Sequence, residues 1–134
     1  MKKQYDCHKI SGGKVTGQLL FSDDGMCFYL IEPKDGKIIE KEHCLYQKSV
    51  AGKILVFPYG KGSSVVQADG MYQLKMTGMN PAAMIVVNAD TTLAASAIIL
   101  DAPMVNKMDD DFYKDFHDGD MVELDADNGI LRKI

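Results

Sequence analysis

The sequence predicts a mixed α/β fold of β/β/α type, with a buried strand–loop–helix–strand unit at its centre and a β-rich periphery. Residues 52–58 (GKILVFP) and 82–88 (AAMIVVN) are continuous apolar runs that do not alternate. Strands covered on both faces read this way. The segment 63–81 between them carries apolar residues at loose helical spacing and ends at Gly78 and Pro81. Glycines from Gly12 to Gly129 punctuate the rest, as in many short strands joined by tight turns. At 134 residues, 46% hydrophobic and 25% charged, the chain has the size and balance of one compact domain spanning 1–134.

Each element follows from local pattern. Residues 8–22 (HKISGGKVTGQLLFS) read as a first strand pair around glycines. CFYLIE (27–32) reads as a short strand, and the Asp35-Gly36 turn within PKDGKII (33–39) leads into another. The run 52–58 and the run 82–88 bracket a helix whose core face is assigned to Val65, Val66, Ala68, Met71, Tyr72, Leu74 and Met76. A strand–helix–strand unit of this length predicts a right-handed parallel crossover. TTLAASAIIL (91–100) is a short helix capped by Asp90 or Thr91, and APMVNK (102–107) a short strand. The acidic stretch 108–118 (MDDDFYKDFHD) reads as a surface connection. MVELD and ILRKI, joined at Asn128-Gly129, close the chain as a hairpin.

Composition excludes several classes. A net charge of −4 argues against nucleic-acid binding through a broad basic face, which needs clustered Lys and Arg to displace phosphate counterions. The N-terminal MKKQYDCHKISGG has no apolar core of a signal peptide, and no stretch approaches a membrane span. Three cysteines, Cys7, Cys27 and Cys44, with no CxxC, disfavour a disulfide framework and read as reduced cytosolic thiols.

The stretch with chemical content is Phe57-Pro58-Tyr59-Gly60-Lys61-Gly62-Ser63-Ser64, between the first buried strand and its helix. Gly60 and Gly62 allow a sharp turn and close approach to a ligand. Ser63 and Ser64 fall at the helix N-terminus, where free N–H groups and the dipole favour an anion. A serine there binds a phosphate or carboxylate, acts as a base if its alkoxide is stabilised, or only caps the helix. The loop is not a Walker A motif, because Gly62 separates Lys61 from Ser63. Cys7-His8 and His43-Cys44, with Cys27, offer zinc-type ligands, yet adjacent strand residues point to opposite faces, so no metal site is expected. His43 is expected in a loop facing the same end of the sheet as Ser63. Asp109-Asp110-Asp111 reads as a solvated cluster, and Met71, Met76, Met79 and Met84 as core or contact surface.

Taken together, SGGKVTGQLLFS, PKDGKIIEKEHCLYQKSVAGK, GKILVFPYGKGSS and YQLKMTGMNPAAMIVVNADTTLAASAIILDAPMV resemble the small, swivelling domain of the aconitase-X family over nearly the full chain. The resemblance implies a hydro-lyase. It implies a heterodimer in which a separate large subunit carries an iron–sulfur cluster on cysteines, with no cofactor bound by this chain. Archaeal members dehydrate (R)-5-phosphomevalonate to trans-anhydromevalonate 5-phosphate, and bacterial relatives dehydrate cis-3-hydroxy-L-proline. The family's base, the first serine of a G-S-S loop, maps onto Ser63. Gly62, Ser64 and Lys61 are then substrate-binding, and the partner's cluster takes the leaving hydroxyl. Val65-Val66-Gln67 follows the serines where archaeal members continue with Thr/Val-Gly-Ser, and Ser96 stands where glycine is usual.

Two other readings compete. TTLAASAIILDAPMV faintly resembles a segment of swivelling phosphohistidine domains, but Thr91 to Ala95 contains no histidine to carry a phosphoryl group. A stand-alone anion or small-molecule binding module using the serine loop is the non-enzymatic alternative.

Overall fold

A computed structural model describes residues 2–134. Eight strands and three α-helices lie along them. In chain order they are β1 (Gln4–Asp6), β2 (His8–Ser11), β3 (Lys14–Phe21), β4 (Ile54–Tyr59), α1 (Ser64–Thr77), β5 (Ala83–Asn88), α2 (Thr91–Ile99), β6 (Met104–Asn106), α3 (Asp110–Asp115), β7 (Met121–Asp125) and β8 (Ile130–Lys133). The strands lie in the order β1-β8-β7-β3-β4-β5-β6-β2. The segment β3-β4-β5-β6 is parallel and the flanks are antiparallel. The mixed α/β class with a β-rich periphery is thus as expected, and so are the parallel β4–α1–β5 unit and the closing β7–β8 hairpin.

β1 and β2 are separated only by Cys7, yet they occupy opposite ends of this order. The sheet must therefore curl until its two edges meet at that residue. The Cys7 N–H donates to the Gly129 carbonyl of the β7–β8 turn at 2.9 Å, and Ala126 N–H to Gly13 O at 2.9 Å, which extends the β1–β8 and β3–β7 pairings to the end where the edges meet. Residues 8–22 accordingly do not form a strand pair: β2 pairs with β6 while β3 pairs with β4 and β7.

Curling sorts the core into two. Inside lie Tyr5, Leu19, Ile54, Val56, Ala83, Ile85, Val105, Val122, Leu124 and Leu131, each from a different strand or a different turn of one. α3 plugs this interior with Phe112 and Phe116, whose rings stand 5.2 Å apart. Residues 108–118 are therefore not a mere surface connection. Met108, Phe112 and Phe116 recur every four residues and are all buried, while the acids cap and solvate the helix start. Outside lie Leu20, Leu55, Phe57, Met84, Val86 and Met104, covered by α1, α2 and an irregular excursion over residues 22–53.

That excursion departs from the expected strand at 27–32. Phe28–Leu30 form a short 3-10 turn, and Phe28 and Ile31 are buried while Tyr29 and Leu30 are exposed. A spacing of three, not two, fits a turn laid flat on a helix. The helix beneath is α1, where Gly70 brings the backbones into contact. A Cβ at Gly70 would overlap the Phe28 carbonyl carbon and the Tyr29 nitrogen. α1 also buries a different face from the one expected: Gln67, Gly70, Met71 and Leu74 point inward, whereas Val65, Tyr72 and Met76 are exposed.

Two predictions follow from the packing. In an open helix Gly→Ala gains about 1 kcal/mol. At Gly70 neither backbone can yield, so overpacking of about 1–3 kcal/mol wins. Gly70→Ala should lower the urea midpoint, and a raised midpoint would show that residues 28–29 move freely. Cys7 is half-buried at the seam, and burial, then the charges of Asp6 and Asp125, push its thiol up to about 11. Its alkylation rate should keep rising with pH through about 10, where a free thiol of pKa near 8.5 has levelled. A plateau by about pH 9 in peptide mass spectrometry would contradict the placement.

Candidate functional site

The parallel strands β4 and β5 end at one rim of the curled sheet, and the chain turns there into α1 and α2. Residues leaving the carboxyl ends of parallel strands into helices are where open α/β sheets gather ligand groups. After Tyr59 the chain runs Gly60-Lys61-Gly62-Ser63. Gly62 adopts φ +102°, a conformation that L side chains avoid. Gly62, Ser63 and Ser64 are all exposed at this rim.

Ser63 is the N-cap of α1. Its backbone is extended, and its Oγ accepts the Val66 N–H at 3.3 Å. Ser64 and Val65, first in the helix, have no intrahelical carbonyl for their N–H groups. The Ser64 Oγ meets the Thr92 Oγ1 of α2 at 3.1 Å, so the two helix starts stand side by side. They are not equivalent. The N-terminus of α2 is closed by its own carboxylate, since Asp90 accepts the Leu93 N–H at 2.7 Å. The N-terminus of α1 is capped by a neutral hydroxyl and lacks acidic residues in its first turn. An outside anion therefore finds its donors at α1.

Lys61 does not stand as a free cation beside the serines. Its Nζ lies 2.7 Å from the Glu40 carboxylate, and that hydrogen bond raises the ammonium above the ordinary lysine value. The donors nearest Ser63 are therefore those of the helix start, and Lys61 is already half of an ion pair.

The excursion supports this loop from behind. Met26 N–H donates to Tyr59 O at 2.8 Å, and Lys61 N–H returns to Met26 O at 2.9 Å. His43, buried, faces Gly25 O with Nε2 at 3.1 Å and receives the Leu45 N–H on Nδ1 at 3.0 Å. Those partners assign the neutral Nε2–H tautomer. The expected nearness of the His43 loop to the Ser63 end of the sheet is thus observed, but the ring braces the turn rather than facing the serine. Cys44 N–H donates to Asp24 Oδ2 at 2.8 Å, which holds that carboxyl below the usual range.

His43 and Cys44 were expected to diverge; in a turn rather than a strand they converge. With Asp24 they form the one group among the described residues with three ligand-type atoms mutually within 4.8 Å. The His43 nitrogens and the Asp24 Oδ2 are already hydrogen-bonded, so the trio knots the turn and leaves no open ligand set. Cys7, Cys27 and Cys44 form no such group. An iron–sulfur cluster, which needs several thiolates together, does not fit this chain's residues. The thiols are also less sheltered than small buried cysteines: Cys7 and Cys27 are half-buried and Cys44 is exposed. Among the described residues no helix is long and apolar enough to cross a membrane.

Glu40 and Gly25 are not singled out by sequence, and Gln67 stands out there only within Val65-Val66-Gln67, as a departure from the family's Thr/Val-Gly-Ser. Gln67 had a legible signal, a polar residue one helical turn after a serine N-cap, on the face that packs inward.

Comparison with known proteins agrees with this fold. The phosphomevalonate dehydratase small subunit of Methanococcoides burtonii is 38% identical over 127 residues, 94% of this chain and 92% of that one. Its counterpart in Methanocella arvoryzae is 42% identical over 92% of this chain and 94% of its own. The crystal structure of holo-form aconitase X from Thermococcus kodakaraensis superposes with a TM-score of 0.89 at 36% identity, covering 99% of both chains. Residues 4–133 match the family described as the aconitase X swivel domain, and the chain belongs to that family.

Proposed function

We propose that this chain is the small subunit of a phosphomevalonate dehydratase and works in the cytosol, paired with a large subunit of aconitase X type. The observation that carries the reading is the match to relatives of that name over nearly the whole of both chains. The substrate is then (R)-5-phosphomevalonate and the product trans-anhydromevalonate 5-phosphate. The reaction removes a proton from the carbon beside the carboxylate and hydroxide from the next carbon, leaving a double bond between them. In this reading the iron–sulfur cluster belongs to the large subunit, and this chain's part is to bind substrate oxygens and to take the proton.

Ser63 is the base. A serine hydroxyl is too weak an acid to be ionised in water, so the site must favour its alkoxide. The Val66 N–H already directed at Oγ and the uncompensated start of a fourteen-residue helix do so. Gly62, Ser64 and Lys61 complete the substrate contacts. The first two offer loop and helix-start N–H groups, and Lys61 offers one face of its ammonium while Glu40 holds the other.

Ser63→Ala removes the base and a cap worth about 1 kcal/mol, so the subunit should still fold. In the reconstituted two-chain enzyme kcat should fall about 10²–10⁴-fold. Wild-type turnover by this variant would remove Ser63 from the role. Turnover of cis-3-hydroxy-L-proline in place of 5-phosphomevalonate would reassign the substrate. Tight binding of 5-phosphomevalonate by the isolated chain in titration calorimetry would favour the stand-alone binding module.

A further inference from the structure

We infer that Gln67 is a positioning residue that turns the Ser63 N–H outward as a donor for a substrate oxygen, an inference that rests on the dehydratase reading. Gln67 lies beneath the loop, 4% exposed, on the inward face of α1. Its side-chain Nε2 donates to the Gly62 carbonyl at 3.0 Å, and its backbone N–H donates to the Ser63 carbonyl at 3.0 Å. The Gly62 carbonyl thus points into the protein. A trans peptide is planar, with C=O and N–H opposed, so the Ser63 N–H of the same peptide points out to the exposed rim. That N–H has no acceptor among the described residues. It stands beside the free helix-start donors of Ser64 and Val65, one residue ahead of them, and extends the anion-receiving arc beyond what a helix N-terminus supplies.

The other end of the amide shows that the arrangement is held at a cost. Gln67 Oε1 is fully enclosed and has no hydrogen-bond partner. It sits against Gly60, where a Cβ would overlap it. An enclosed acceptor left unpaired is destabilising, and an apolar side chain of equal size would avoid the penalty. What the amide supplies and an apolar residue cannot is the donor to Gly62 O. The acceptor at Gly62 also fixes the amide orientation, since the reverse would oppose two oxygens. Gln67 therefore grips both glycines of the turn, Gly62 by a hydrogen bond and Gly60 by contact. It leaves the Ser63 N–H on the exposed side of the loop.

The test uses the reconstituted two-chain enzyme with 5-phosphomevalonate. Gln67→Met keeps the volume and loses the donor, and kcat/KM should fall about 10–100-fold with the complex still assembled. Gln67→Glu places a carboxylate oxygen against the Gly62 carbonyl. At neutral pH it should be at least as impaired. As pH falls and the buried acid protonates, it can donate again, and activity relative to wild type should recover. Lys61, Glu40, Cys27 and Asp90, on the elements packed around this loop, are present in both enzymes, so the ratio of the two profiles isolates residue 67. Wild-type kcat/KM and pH profile in both variants would overturn the inference, even where Ser63→Ala is inactive. An active Ser63→Ala with impaired Gln67 variants would instead overturn the base assignment alone. Should either variant fail to fold, the wild-type chain still decides. The Gln67 side-chain amide protons must exchange slowly by nuclear magnetic resonance, and exchange at a solvated rate would overturn the contact.

Discussion

Everything in this molecule is arranged around strands that cannot face water on either side. Ile54-Leu55-Val56-Phe57 and Ala83-Met84-Ile85-Val86 are buried throughout. A sheet with such strands at its centre needs cover on both faces. One cover comes from the sheet itself, which curls so that Ile54, Val56, Ala83 and Ile85 look into an interior filled from the surrounding strands and α3. The other comes from α1, α2 and the excursion, which meet Leu55, Phe57, Met84 and Val86. Alternation of side chains along a strand thus becomes two separate cores.

The site is a by-product of that second cover. Helices that return to lie on a parallel sheet must begin at the strands' carboxyl ends, so the N-termini of α1 and α2 fall together at one rim. Asp90 neutralises one of them and Ser63 leaves the other open. The excursion does for the loop what a regular element could not. Through Gly70 it lies directly on α1, and through Met26 and Glu40 it reaches the glycine turn from behind. Chemistry at the rim and packing beneath it share the same helix. Ser63 caps it, Gln67 anchors the loop, and Gly70 admits the excursion.

Much of this was legible in the sequence where one force decides. Unbroken apolar runs at 52–58 and 82–88 can only be buried strands or helix cores, and glycine and proline bounded them. Asn128-Gly129 and Gly78 required left-handed backbone, and the chain adopts it at Gly129 and Gly78. Ser63 was visible because an N-cap after glycines has few other readings. What failed were places where partners far along the chain decide. CFYLIE has strand composition but no strand beside it, and it lies on α1 instead. The face of α1 was misassigned because its buried stripe includes Gln67 and Gly70, and counting apolar residues cannot find a face built from an amide and a missing side chain. In 108–118 the four-residue spacing of Met108, Phe112 and Phe116 was present but hidden among aspartates.

The meeting of the sheet edges at Cys7 has a consequence for the chain before it finds any partner. A long free strand edge offers N–H and C=O groups to a second molecule and is a route to aggregation. Here the outermost strands are only three and four residues long, and a single residue, Cys7, joins them. Short edges of this kind keep the chain from joining copies of itself through the backbone.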